Sequence, residues 1–310
     1  MNLSFSIPLK QAWERMTRML FRPFRLETWL VLGFAAFLSE FLSGRSGSAG
    51  SWRSHHNPAL HGVARGVEAF LLHPVWTGIV LVLLSFAVVA VIVVHWLSCR
   101  GRFVFLHNVV EEKAGIVEPW KRFARLGDSL FVWTLVFMLV CITLAIAIVL
   151  PFLAAILALW SNGQFRWEGL GAILGFVAMI VPFALLFAIT VLFLNHFVVP
   201  IMYRQGVSAS RAWSVFLALF RAQPGGFVLY ALFMLVMGCI VAAGVLTVGI
   251  STCCVGFLLI GTPYVGQVIL LPVHVFFRGF GPHFLAQLGP EYDVFAGAAH
   301  APTDAPGVTR

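Results

Sequence analysis

Five apolar stretches of about 20 or more residues limit what this chain can fold into. A stretch of that length crosses a hydrocarbon layer about 30 Å thick as an α-helix, and it exceeds what a soluble core requires. Hydrophobic residues make up 60% of the 310 residues and charged residues 10%, against roughly 45–50% and 25% in soluble domains. The sequence therefore predicts an integral membrane protein.

The hydropathy pattern predicts an all-α integral membrane fold with six transmembrane helices. They cover about 27–43, 75–98, 129–158, 170–200, 226–250 and 253–277. The first is the weakest, because Glu27 and Glu40 enclose only about a dozen apolar residues and a short or tilted helix is expected there. Pro151 and Pro182 lie inside the third and fourth spans, which predicts kinks or tilt.

Lysine and arginine are concentrated in the segments that would share one side of a membrane. The N-terminus, residues 99–128, residues 199–225 and the C-terminal tail hold sixteen of the twenty. By the positive-inside rule, both termini of such a membrane protein would be cytoplasmic. The net charge of +8 then indicates attraction to a bilayer with anionic headgroups rather than to nucleic acid. A membrane protein partner is left open.

Two similar stretches indicate an internal repeat. The segment FVWTLVFMLV at 131–140 matches FVLYALFMLV at 227–236 at six of ten positions. A tryptophan precedes each, Trp120 and Trp213, and Trp13 precedes the first span. The chain is thus predicted to contain three tandem units, at 1–98, 99–200 and 201–280, followed by a cytoplasmic tail at 281–310.

Each predicted unit begins with a short amphipathic segment that we call an elbow. In the first, Leu9, Trp13, Met16 and Leu20 recur at helical spacing, and in the third, Trp213, Phe216, Leu217 and Phe220 do so. Such a helix can lie at the membrane surface, with Trp13, Trp120 and Trp213 as interfacial anchors and its basic residues near phosphates. Ordinary connecting helices in water are the alternative.

A histidine followed by an arginine ends each even-numbered span. The pairs are His95 with Arg100, His196 with Arg204, and His274 with Arg278. Together with Asn195, the three histidines could converge into a proton-relay or transport site, because polar groups in a bilayer often face the bundle interior. The favoured alternative is that the histidines bond water or backbone at the boundary, while the three arginines reach lipid phosphates as interfacial anchors.

The sixth span carries a second candidate site. Gly261, Pro263, Gly266 and Pro272 could interrupt the helix, which would leave Thr262, Tyr264 and Gln267 as hydrogen-bonding groups near the middle of the membrane. Interrupted helices bind substrates in several transporters. Close helix packing with a kink is the favoured alternative, because small residues permit it.

Catalytic and metal-binding chemistry have little support in the sequence. The nucleophile-elbow, Walker and HExxH patterns are missing, and the acidic residues show no acid–base arrangement with a histidine. The Gly- and Ser-rich loop at 44–74 holds His55, His56 and His61, but their spacing fits no structural zinc pattern. The five cysteines show no paired spacing either. We expect no catalytic residue, no metal, no cofactor and no disulfide framework.

Two further stretches carry a family resemblance. They are RGRFVFLHNVVEEKAGIVEPWKRFARLGDSLFVW after the second span and PVHVFFRGFGPHFLAQLGPEYDVF after the sixth. They resemble an uncharacterised family of bacterial six-helix membrane proteins, which is similar in layout to the membrane domains of some glycerophosphoryl diester phosphodiesterases. The resemblance covers nearly all of residues 5–295 and implies no activity, since the phosphodiesterase chemistry belongs to a separate soluble barrel.

The sequence therefore favours a non-enzymatic inner-membrane protein, either a scaffold or an accessory subunit anchored by its elbows. A small transporter or lipid-handling permease is the alternative, using either the histidine set or the interrupted sixth helix.

Overall fold

The computed structural model describes residues 6–22, 24–40, 74–161, 167–252, 255–262 and 264–296. Regular structure in these residues is entirely helical. The helices are α1 (Ser6–Phe21), α2 (Leu26–Glu40), α3 (Pro74–Glu111), α4 (Val117–Arg122), α5 (Ala124–Ser161), α6 (Trp167–Phe193), α7 (Val199–Gln205), α8 (Ala209–Ala222), α9 (Pro224–Ser251), α10 (Val255–Gly261), α11 (Val265–Ile269) and α12 (Leu271–Ala286). A π-helical turn, Leu194–Val198, joins α6 to α7, and a 3-10 turn, Pro290–Tyr292, follows α12. The loop histidines His55, His56 and His61 lie outside the described residues, as does Pro263.

Four helical runs in the described part of the chain are long and apolar enough to cross a membrane. They are Thr77–Glu111, Ala124–Leu159, Gly169–Gln205 and Pro224–Ser251. These runs contain the second to fifth predicted spans, so four long apolar helices are confirmed. Each exceeds the roughly 20 residues that a straight crossing needs. The prolines Pro151 and Pro182 lie inside α5 and α6, as expected.

The first predicted span contains a short helix, as expected, but the position of this helix on α3 does not confirm a crossing. Helix α2 has 15 residues, which is short of a straight crossing. Its C-terminal end packs on α3 near Ser98, whose hydroxyl donates a hydrogen bond of 3.1 Å to the carbonyl oxygen of Ser39. If α2 crossed the membrane outward and α3 returned, the end of α2 would lie beside the start of α3. Ser39 would then be close to Thr77 and not to Ser98.

The sixth predicted span is broken into α10, α11 and α12. At the break, the backbone of Gly266 lies against the carbonyl group of Ile260. The approach is so close that a Cβ atom at Gly266 would overlap the carbonyl oxygen. Pro272 lies in the first turn of α12, where the backbone N–H groups have no acceptor within the helix, so a proline is tolerated there. The structure therefore contains an interrupted helix in place of the kinked but continuous one that the sequence favours.

The buried side chains gather at one end of the long helices. This helix-end core includes most of residues 99–110, 193–202 and 275–285 together with the buried faces of α1, α8 and the start of α9. The other part of α3, residues 78–93, is almost wholly exposed and apolar. The most apolar windows of α3 and α5 have no buried residue. Burial is thus concentrated at one end of the long helices. Away from that end, α5 and α6 still contact each other, as where Phe152 meets Phe176 with ring centroids 5.7 Å apart.

The π-helical turn lies where α12 crosses the fourth span. Pro200 has no N–H to donate to the carbonyl of His196, and its ring would clash with that carbonyl in a regular α-helix. A π turn at this position relieves the clash. Helix α12 then passes so close that a Cβ atom at Gly281 would overlap the carbonyl oxygen of His196. Only a glycine allows this approach of two backbones.

We predict that Gly281→Ala destabilises the folded protein by about 1–3 kcal/mol, because the added methyl group forces α12 away from His196. Gly279→Ala is the matched control, since its Cβ atom would make ordinary contacts of 3.9 Å with Ala12 and 4.0 Å with Val109. Thermal unfolding in detergent should show a lower midpoint for the first variant alone. Equal midpoints would contradict the crossing.

Candidate functional site

His95 forms a small buried cluster with Thr134 and Cys99. Its Nε2 atom lies 2.9 Å from Thr134 Oγ1, and Cys99 Sγ lies 3.5 Å from the same oxygen. The single hydroxyl proton of Thr134 is directed to the carbonyl oxygen of Leu130, 2.8 Å away. The Nε2 atom of His95 and the hydroxyl of Thr134 therefore share a buried hydrogen bond. This bond joins α3 to α5.

His196 makes the corresponding contact between the fourth and fifth spans. Its Nδ1 atom lies 2.9 Å from the hydroxyl oxygen of Tyr230, which is fully buried at the start of α9. Thr134 and Tyr230 occupy the fourth position of the two similar stretches at 131–140 and 227–236. In both pairs, then, a histidine of one predicted unit bonds a hydroxyl at the same position of the similar stretch in the next unit.

The remaining members of the predicted histidine site lie around α12. His274 is half-buried in the first turns of this helix, and Asn195 belongs to the π-helical turn. The guanidinium of Arg278 is buried and donates to the carbonyl oxygens of Arg102, at 2.6 Å, and Asn195, at 3.5 Å. Arg278 was expected to reach lipid phosphates, but it instead joins α12 to α3 and to the π turn. Convergence of the three histidines stays a prediction.

The broken sixth segment places its three polar residues differently. Thr262 is exposed and donates to the carbonyl oxygen of Leu259 at 2.6 Å, within its own helix. The hydroxyl of Tyr264 donates to the carbonyl oxygen of Leu30 in α2 at 3.0 Å. Gln267 is 7% exposed, and its Oε1 atom has no hydrogen-bond partner among the described residues. Of these three residues, Gln267 is therefore the one with a buried, unused hydrogen-bonding atom.

Asp128 connects α3, α4 and α5 through the predicted anchor Arg100. The guanidinium of Arg100 makes a bidentate contact with this carboxylate, at 2.8 and 2.9 Å, and the indole N–H of Trp96 donates to it at 2.9 Å. Arg100 also lies 4.2 Å above the ring of Trp96, which itself meets Trp120 edge to face. Sequence reasoning missed Asp128. A lone acid at the start of an apolar helix was the available signal.

The elbow helices pack partly against protein. In α1, Met16 and Leu20 are buried in the helix-end core, whereas Trp13 is 60% exposed. In α8, Phe216 is buried and Trp213 stacks on Trp133 with ring centroids 5.1 Å apart. Part of each of these two apolar faces, which we expected to contact lipid, thus contacts other helices. The anchoring role of exposed Trp13, and of Arg204, which is also exposed, stays a prediction.

Residues after α12 add a contact that the sequence did not indicate. Phe295 stacks on His283 with ring centroids 4.0 Å apart, and the guanidinium of Arg15 lies 4.2 Å from the centroid of Phe295. Burial and the charge of Arg15 lower the pKa of His283 to about 3. His283 is therefore neutral at pH 7 and packs as an aromatic ring. Its contact with Phe295, and that of Phe295 with Arg15, hold the C-terminal segment against α12 and α1.

One open groove runs along α5. Its volume is about 610 Å³, and it is lined by Ser129, Val132, Trp133, Val136, Phe137, Val140 and, from α8, Ser210. None of the candidate polar residues named from the sequence lines it. Among the described residues, no group of three or more His, Cys, Asp and Glu side chains is arranged to hold a metal ion.

Comparison with known proteins identifies one family. The model of a family of unknown function, DUF7544, matches residues 8–288. No curated protein and no solved structure matches the chain. The expected resemblance to an uncharacterised family with apolar helices is confirmed, whereas no similarity to glycerophosphoryl diester phosphodiesterases is found.

We predict that Tyr230→Phe destabilises the protein, because it removes the hydroxyl that bonds the buried ring of His196. A buried polar group that loses its partner costs about 1–3 kcal/mol. Tyr292→Phe is the matched control, since the side chain of Tyr292 packs at the edge of the helix-end core and is partly exposed. Thermal unfolding in detergent measures both variants. A midpoint for Tyr230→Phe equal to that of the control would contradict a structural role for the pair.

Proposed function

We propose that this chain, which belongs to the family of unknown function DUF7544, is a non-enzymatic membrane module that serves as a scaffold or accessory subunit. The observation that carries the proposal is that polar side chains on the long helices form hydrogen bonds between helices. His95, His196, Arg100 and Arg278 each bond a group on a neighbouring helix. Polar groups on apolar helices that pair in this way join helices together. They support an architectural role better than a catalytic one.

The proposed arrangement keeps six crossings in three tandem units, with both termini on the cytoplasmic side of a bacterial inner membrane. The distribution of lysine and arginine supports this orientation. The matching pairs His95 with Thr134 and His196 with Tyr230 support the repeat in the second and third units. The first unit has the least support, because the end of α2 lies beside Ser98.

The exposed apolar parts of the long helices support a membrane protein partner. Helix α9 is buried at Phe227, Tyr230 and Met234 near its start, and at Gly249 near its end. Farther along, Ile240 is 58% and Ile250 is 71% exposed. A helix held mainly by its first turns presents a long apolar surface inside the bilayer, where lipid or another transmembrane helix can pack.

A lipid-handling permease or small transporter is the second candidate. The break between α10 and α11 and the unused Oε1 atom of buried Gln267 favour it, because interrupted helices supply binding groups in transporters. The open groove along α5 also favours an interaction with lipid.

Extraction of the protein with its surrounding native lipid, followed by native mass spectrometry, separates the two candidates. The scaffold proposal predicts a second polypeptide in a fixed ratio to this chain. It also predicts that purified protein in vesicles does not accelerate the transfer of a fluorescent phospholipid between leaflets, relative to protein-free vesicles. A single chain without a partner, combined with accelerated transfer, would replace the scaffold with the second candidate.

A further inference from the structure

The groove along α5 has the length of one bilayer leaflet. Its lining begins at Ser129 and ends at Val140, which spans about 16 Å at 1.5 Å per residue. Half of a hydrocarbon layer about 30 Å thick is about 15 Å. The volume of about 610 Å³ lies within the roughly 300–1,000 Å³ of small-molecule sites. A groove of this length fits an extended acyl chain.

A ladder of stacked aromatic rings runs beside the groove. Trp213 stacks on Trp133 at 5.1 Å, Trp133 on Phe137 at 5.3 Å, and Phe137 on Phe187 at 5.8 Å. The rings come from α8, α5 and α6, so three helices hold this wall in place. Val132, Val136 and Val140 are more than half exposed and give the groove an apolar surface. Stacked rings and short branched side chains form a firm surface that an alkyl chain can contact along its length.

The mouth of the groove is polar, and the first turn of α8 lies there. The hydroxyl oxygen of Ser129 accepts a hydrogen bond of 3.1 Å from the backbone N–H of Ala209, the first residue of this helix. Ser208, the residue before α8, makes no side-chain capping bond. The following N–H groups, those of Ser210 and Arg211, have no acceptor within the helix. They carry the partial positive charge of a helix N-terminus.

Two arginines add full positive charge at the same end. Arg125 precedes Ser129 by four residues on α5 and so shares its helix face one turn away. Arg211 follows Ser210 on α8, and both arginine side chains are exposed. The nearby carboxylate of Asp128 is occupied by Arg100 and Trp96. The mouth therefore has an excess of positive charge above an apolar groove.

From this combination we propose that the groove binds one anionic phospholipid. The acyl chain lies along Val132, Val136 and Val140, and the phosphate lies at the mouth near Arg125 and Arg211. An anionic headgroup complements the positive mouth, because arginine binds phosphate oxygens through charge-assisted hydrogen bonds. The site is independent of whether the protein acts as a scaffold or as a permease.

Native mass spectrometry of the detergent-purified protein tests this site with two synthetic lipids, phosphatidylglycerol and phosphatidylcholine with the same acyl chains. We expect one phosphatidylglycerol molecule to be retained, with an affinity about tenfold higher than that of phosphatidylcholine. Equal retention of the two lipids, or a bound polypeptide or second copy on this face in place of lipid, would overturn the proposal.

Substitutions in the groove and at its mouth locate the bound lipid. Val136→Trp should fill the groove and abolish retention, whereas Val228→Trp, at a valine of matching exposure on α9 (60% against 58%), should not. Arg125→Gln combined with Arg211→Gln should remove the preference for phosphatidylglycerol, and Arg204→Gln should preserve it. Equal losses in Val136→Trp and Val228→Trp would mean nonspecific surrounding lipid only.

Bromine-labelled acyl chains give a second measurement that does not depend on a groove-filling variant. A brominated phosphatidylglycerol bound along α5 should quench the fluorescence of Trp133. The part of the quenching that saturates at one lipid per protein should disappear in the double variant Trp133→Phe with Trp213→Phe, because Trp213 stacks on Trp133 beside the groove. Unchanged saturable quenching in that variant would place the lipid elsewhere and overturn the proposal.

Discussion

A polar side chain carried on an apolar helix has to find its hydrogen-bond partner inside the protein, because the surrounding hydrocarbon offers none. This chain meets that constraint mainly at one end of its long helices. His95 bonds Thr134, His196 bonds Tyr230, and Arg278 bonds the carbonyl oxygens of Arg102 and Asn195. Each of these bonds joins two different helical segments. Together with the close approach of Gly281 to His196, they fix how the helices cross.

The same constraint explains why one part of a long helix is buried in protein while the rest is exposed and apolar. Beyond the helix-end core, the side chains of α3 are almost entirely apolar, so nothing compels residues 78–93 to pack against protein. In a bilayer, apolar side chains gain little by leaving lipid for another helix, and close association needs small residues or hydrogen bonds. Exposed apolar surfaces of this kind can contact lipid, a partner helix, or both. The groove beside Trp133 is a concave site within this surface.

Long apolar helices were predictable because length and hydropathy alone determine them, and four were found where expected. The break in the sixth segment could be suspected from Gly261, Gly266 and Pro272, yet its form depends on a contact between Gly266 and Ile260 that the sequence does not display. The role of Arg278 was missed for a similar reason. An arginine at a helix end is expected to reach outward, and only the path of α12 across α3 shows that it is buried. Thr134 and Tyr230 are polar residues at the same position of the two similar stretches. Their pairing with histidines was not predicted, because a single hydroxyl hardly changes the hydropathy of a helix.

The central claim is that burial is concentrated at one end of the long helices, and oxygen accessibility of nitroxide spin labels in lipid vesicles tests it most directly. Labels would be placed one at a time at Leu83 in α3, Leu144 in α5, Leu185 in α6 and Leu246 in α9, all of which are exposed, and at buried Val109 for comparison. The account predicts high oxygen accessibility at the first four positions and low accessibility at Val109. Low oxygen accessibility at all five would contradict it, because the long helices would then form a bundle that is packed along its whole length.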